Sequence, residues 1–202
     1  MKKKADVNVH DTFDGASAII EACSYSFYDI DFVKMLIEYG ANVNDVETGE
    51  RRQGNGTRLT PLIAASKTGN LDLVKFLVSK GANINYQNEF GQSALSKSVM
   101  VNKYEIAYYL LQNGADYKLP IFYRPDYSIP IENHDPNDKG KPMYLLDVLK
   151  EDVSDVDTDE YKYKMLIIDF LKSKGIDWGN TNAKLHWKKK PKKNIQIVGE
   201  NI

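Results

Sequence analysis

An all-α solenoid of stacked helix-turn-helix units is what this sequence predicts, on three observations. A tetrad recurs as Ala5-Asp6-Val7-Asn8, Ala41-Asn42-Val43-Asn44, Ala82-Asn83-Ile84-Asn85 and, degraded, Ala115-Asp116-Tyr117-Lys118, at spacings of 36, 41 and 33 residues. Gly40, Gly81 and Gly114 precede the last three, and a fainter echo at Gly175-Ile176-Asp177-Trp178 lies 61 residues beyond Gly114. Before each glycine runs an apolar pattern of helical period: Phe32, Val33, Leu36; Leu73, Val74, Leu77; Ile106, Ala107, Leu110; Ile167, Ile168, Leu171. A helix pair that cannot bury its own apolar faces must stack on its neighbours, so a repeat of this period implies a one-dimensional core.

Composition agrees with a folded domain. The chain has 202 residues, 42% hydrophobic and 27% charged, with a formal net charge of −1. That balance excludes a disordered chain and supplies no overall field toward nucleic acid or an anionic membrane. Cys23 is the sole cysteine, which rules out an intramolecular disulfide, and no Cys and His residues have zinc-site spacing. "ADVNVHDTFD" follows the basic start where a signal peptide would need an apolar run, and no 18-residue apolar stretch exists. The expected location is cytoplasmic.

In chain order, Ser17-Ala18-Ile19 opens the first short helix, and the Phe32, Val33, Leu36 run forms the second. In the next unit Thr60 caps a helix, Pro61 takes its first position, and Ala64, Ala65 and Ser66 let antiparallel helices approach closely. Gly69 turns the chain there. Ser93-Ala94-Leu95 opens the third pair; Leu145 and Met165 mark the fourth. The "TPL" opening with an Ala three residues on, the inter-helix Gly, the "GA(N/D)(V/I)N" ending and the period near 33 together resemble the ankyrin repeat. The likeness is close over residues 60–85, good over 91–118, moderate over 15–44, and rests on the second helix alone in 143–178. It implies an ankyrin-repeat domain over 5–178, with units of about 9–44, 45–85, 86–118 and 119–178. Residues 179–202 would be a cap, with Leu185 and Trp187, and a basic tail.

Insertions distinguish this chain from an even repeat. Two residues are added around "SYSFYD", which places Tyr25, Phe27 and Tyr28 at an inter-helix turn, and eight more make a polar finger near 45–57. The fourth unit has about 17 added residues within 119–142 and 11 near 150–160. Pro120, Pro125, Pro130, Pro136 and Pro142 forbid helix in the first of these. This aromatic stretch is either a partner-binding arm or a hairpin folded over the third unit. Residues 5–8 are the tail of a unit whose helices are absent. The chain is then a fragment of a longer protein, or its first unit exposes a stacking face that self-associates.

No catalytic constellation emerges. "GASAI" opens a repeat helix instead of forming a nucleophile elbow, and "GNGT" lacks the lysine and spacing of a phosphate loop. His10, His134 and His186 have no carboxylate at ligand spacing and read as surface histidines; Cys23 reads as a packed thiol. Asp155, Asp157 and Asp159 mimic the start of a calcium loop, but Glu160 and Leu166 occupy the Gly and Glu positions, leaving a solvated loop with Thr158 or Asp159 capping the next helix. Six lysines in 184–193 come without a nucleic-acid fold, so nucleic acid is not the expected partner. Metal and cofactor are not expected either.

The resemblance implies a non-catalytic module that binds a partner protein through turn tips and inner-helix residues. Transferred by position, the candidate surface is Thr12, Phe13, Ser24 and Tyr25; Thr57, Leu59, Lys67 and Thr68; and Glu89, Phe90, Gln92, Met100 and Val101. Tyr123, Arg124 and Tyr127 in the arm join it. A bacterial immunity or adaptor protein would have this architecture. The competing expectations are an assembly fragment that stacks on other repeats, and an enzyme built from Tyr123, Arg124, Tyr127, His134 and Asp135.

Overall fold

The computed structural model describes residues 6–12, 15–25, 29–48, 58–128, 135 and 140–176. Its helices fall in antiparallel pairs: α1 (Ala18–Ser24) with α2 (Ile30–Glu38), α3 (Pro61–Thr68) with α4 (Leu71–Ser79), α5 (Ala94–Met100) with α6 (Tyr104–Gln112), and α7 (Leu145–Glu151) with α8 (Asp159–Ser173). The first members line up as an inner row, α1 on α3 on α5. The helix starts follow from side-chain oxygens that satisfy orphan amides. Thr60 Oγ1 accepts from the Ile63 amide at 3.3 Å and Asn70 Oδ1 from Leu73 at 3.0 Å. Ser93 and Ser96 cap reciprocally at 3.1 and 2.8 Å. Of the two caps open for α8, it is Thr158 that accepts, from Tyr161 at 3.2 Å.

The core runs unbroken through the pairs, from Ile19 and Ile20 through Leu62, Ile63 and Leu77 to Leu110, Leu149 and Ile168. Ala22, Ala65 and Ser98 occupy equivalent sites on α1, α3 and α5 and are fully buried, which permits the close stacking of that row. Gly69 ends α3 at φ +83°, and a Cβ there would run into the Lys103 side chain.

The recurring tetrad has a specific task. The Nδ2 groups of Asn8, Asn44 and Asn85 each donate at 3.0 Å to the carbonyl of the next unit's glycine, Gly40, Gly81 and Gly114. Their Oδ1 atoms accept from the amides of Asn42, Asn83 and Asp116 at 2.9, 2.7 and 2.9 Å. Each tetrad is thus a clip onto the following unit, and Asn8 makes it as the endings of complete units do. Lys118 holds the fourth position and has no acceptor oxygen, so the clip stops short of Gly175.

The fourth unit is built differently. Helix α8 has 15 residues where α2, α4 and α6 have nine each. Six of the residues expected as inter-helix insertion are therefore helix. The extension lies along α6: Tyr163 donates to Glu105 Oε1 at 2.6 Å and its ring lies 6.3 Å from that of Tyr108. Before α7, strand β1 (Phe122–Arg124) pairs antiparallel with β2 (Lys141–Met143), Tyr123 opposite Pro142. Of the two expectations for this insertion, the described part takes the hairpin form. Tyr123 is half-buried, its ring 3.6 Å from where a Gly91 Cβ would be, so the hairpin base lies over the third unit's turn.

Candidate functional site

Inner helices and turns combine into one face. Matching the caps Ser17, Thr60, Ser93 and Tyr144 aligns Glu21, Ala64, Lys97 and Val148 in one row across the stack. Ser24, Lys67, Met100 and Glu151 form the next row, and Tyr25, Thr68, Val101 and Asp152 a third. Lys97, Met100 and Val101 share one side of α5 because i, i+3 and i+4 coincide on a helix. Tyr25 is 49% exposed, Met100 47% and Val101 38%, so each keeps more than a third of its surface open. Lys67 is exposed as well; Thr68 is half-buried and donates to the Ala65 carbonyl at 3.0 Å.

Phe90 sits at the tip of the third turn, 47% exposed. The turn is held by Asn88, whose Oδ1 accepts from the amides of Phe90 and Gln92 at 3.0 and 2.8 Å. Gln92 serves this device: its Oε1 accepts from Asn88 Nδ2 at 3.1 Å. The side chain expected to meet a partner instead braces the residue that does the presenting. Glu89 faces Arg58 of the second finger at 3.5 Å.

Leu59 requires correction. It is 8% exposed, and its amide donates to Glu47 Oε2 at 3.0 Å while its carbonyl accepts from the Glu47 amide at 3.1 Å. Together the two residues close the base of the second finger, so Leu59 belongs to the core. The first finger is tied in likewise. His10, expected as a plain surface histidine, is half-buried, with Nδ1 2.8 Å from Thr48 Oγ1 and Nε2 3.0 Å from Asp45 Oδ2.

In the arm, Arg124 makes a bidentate pair with Glu151 at the end of α7. The hydrogen-bonded carboxylate raises the guanidinium pKa, and the same bond lowers that of Glu151. Tyr127 stands 82% exposed. Gly140, at φ +78°, passes so close to the Arg124 carbonyl that a Cβ would collide with it. Phe13, Thr57, Phe27, Tyr28, His134 and the lysine-rich end lie outside the described residues.

Two groups were not on the sequence-derived surface. Lys97 is half-buried, and its pKa is lowered by that burial and by the charge of Lys67. Its signal was available: a lysine stands where the neighbouring unit has Ala64. The second is a buried pair behind α7, where Lys164 Nζ donates to the Asp152 carbonyl at 2.6 Å and to its Oδ2 at 3.0 Å. Burial alone would raise the Asp152 pKa, but the Ser154 hydroxyl and the Lys164 ammonium outweigh it and hold the carboxyl below its usual range. Tyr104, fully buried against this pair, is raised well above the usual phenol range, chiefly by burial.

Cys23 is buried, and burial pushes its thiol up to about 12, which removes it as a nucleophile at neutral pH. Among the described residues no group of three or more His, Cys, Asp or Glu could hold a metal ion, and no helix is long and apolar enough to cross a membrane.

Family models place these units. The model described as three copies of the ankyrin repeat matches residues 46–120, and the single ankyrin repeat matches 14–47. The chain belongs to the ankyrin-repeat family. An ankyrin repeat protein of Acanthamoeba polyphaga mimivirus is 34% identical over 100 residues, covering 48% of this chain and 60% of that protein. A second from the same virus is 32% identical over 130 residues, 57% of this chain and 22% of its own length. The ankyrin repeat and SAM domain-containing protein 6 of Rattus norvegicus is 44% identical over 66 residues, 32% of this chain and 8% of that protein. The chain thus spans 60% or less of the length of these relatives. Ankyrin repeats generally mediate protein–protein interaction, and the matches indicate no catalytic family.

Proposed function

We propose that this ankyrin-repeat chain is a non-catalytic module that binds a partner protein across its concave face, with Tyr25, Lys67, Phe90, Met100 and Val101 as the contact set. The observation that carries this is the exposure of Phe90, Met100 and Val101 on adjoining turn and inner-helix positions, where the core makes no use of them. Apolar side chains grouped on a rigid face are what a protein interface needs, because ordering them on binding costs little entropy. The chain acts as an adaptor or immunity-type protein that occupies its partner and transforms nothing. Capture from host lysate by the wild type, beside a Phe90→Asp, Met100→Asp variant of unchanged helical circular dichroism, tests it. Loss of the captured protein is expected; equal retention by the variant would refute the assignment.

A second surface is favoured by a separate observation. Phe32 on α2 is 37% exposed, whereas Leu73 and Ile106 at the same position of α4 and α6 are 3% and 2% exposed. Met35, one turn on, is 42% exposed. This end continues the stacking interface that the inner units bury, and the proposed occupant is the same end of a second copy. Sedimentation should show a concentration-dependent dimer that Phe32→Glu abolishes; a monomer at high concentration would argue against it.

A further inference from the structure

The charges around the concave floor are unevenly committed. Glu89 faces Arg58, Glu151 is paired with Arg124, and Asp152 with Lys164. Glu21, in the same row as Lys97, is also engaged. Lys67 and Lys97 remain: among the described residues neither makes a hydrogen bond or an ion pair with a carboxylate. They project from α3 and α5, which pack side by side. Lys97 is half-buried with a like charge beside it, a costly placement where the adjacent unit uses alanine. Met100 and Val101 share the α5 side that carries Lys97, and Phe90 is exposed on the turn that leads into α5.

We propose that the partner presents an acidic segment with apolar anchors, its carboxylates meeting Lys67 and Lys97 and its anchors seated on Phe90, Met100 and Val101. This rests on the concave-face assignment above and names the chemistry of the occupant. A carboxylate brought to this floor gains the attraction that no described residue of the chain supplies, and covering the lysines strengthens it by lowering the local dielectric. The apolar flank separates a peptide from a nucleic acid: a phosphodiester chain would satisfy the lysines but not the aliphatic Met100 and Val101. A single exposed aromatic, Phe90, is also a poor platform for successive bases.

Random-peptide phage display on the intact chain, followed by anisotropy of the selected peptides at low and high salt, tests this. The expected peptides mix Asp or Glu with Leu, Phe or Met. Their affinity should fall roughly tenfold or more in the Lys67→Gln, Lys97→Gln variant and weaken with salt. That variant removes a half-buried charge and should fold at least as well as wild type by circular dichroism. Selected peptides without acidic residues, no selected peptide at all, or equal binding by the glutamine variant would overturn the proposal. So would an oligo-dT strand that binds as tightly with the same lysine dependence. Met100→Asp separates the two levels. If it abolishes binding of non-acidic peptides, the concave face stands and only the acidic occupant falls; if it changes nothing, both fall.

Discussion

The second and third units and the fourth solve the same stacking problem with different chemistry. Between the second and third, α3 meets α5 through Ala65 and Ser98, and the Asn85 clip fastens Gly114 and Asp116. The fourth unit places Leu149 where α3 has Ala65, so α7 packs only sparsely against α5. Lys118 ends the clips there. A lengthened α8, a two-stranded hairpin and a buried ion pair take their place. Small residues permit close approach and need little else; a wider junction has to be bridged by longer elements and by polar groups that bring their own desolvation cost. A repeat array can therefore keep its architecture while replacing the forces at one interface.

Breaking the buried pair is the harshest test of this contrast. Asp152→Ala takes the carboxylate away from the buried Lys164 ammonium, and should cost about 3–5 kcal/mol, read as a lower Tm and lost protection of α7 and α8 in hydrogen exchange. Protection of α3 and α4 should persist. The pair also makes the fourth unit acid-sensitive. The folded Asp152 carboxyl is held below its unfolded value, so its contribution is complete above the ordinary carboxylate range and is lost as pH falls through the lowered value. The α7–α8 amides should lose protection in acid before those of α3 and α4.

Cutting one clip probes the other kind of junction. Asn44→Ala removes two hydrogen bonds between the first and second units and should cost about 1–2 kcal/mol, measured by urea unfolding. The converse substitution, Lys118→Asn, restores the clip toward Gly175 and should stabilise the fourth unit by about 1 kcal/mol. The smallest effect belongs to the arm. Arg124→Ala breaks an exposed pair with Glu151 and should leave the Tm almost unchanged, with the small effect shrinking further in high salt.

Sequence alone determined the repeat, because the constraints that define it are local and recur in register. Thr60 before Pro61, Ala64-Ala65, Gly69 and the Asn-ended tetrads state their helix starts, close contacts, turns and stops within a few residues. The exposed set of Phe90, Met100, Val101 and Lys67 was legible for the same reason, since position within a regular unit sets which way a side chain points. Leu59 and Gln92 were not, because their environments depend on partners outside the helices that carry the repeat. Leu59 is enclosed by Glu47 across the second finger, and Gln92 is drawn to Asn88 by the geometry of a turn, whereas Lys97 stood out against Ala64 but owes its lowered pKa to burial and to Lys67 of the preceding unit. Only the tertiary structure could start α8 at Asp159, six residues ahead of the Met165 that marks the repeat's second helix, seat Tyr123 on Gly91, and bring Asp152 to Lys164. Those arrangements are contacts across an irregular junction, where no repeating period constrains which residues meet.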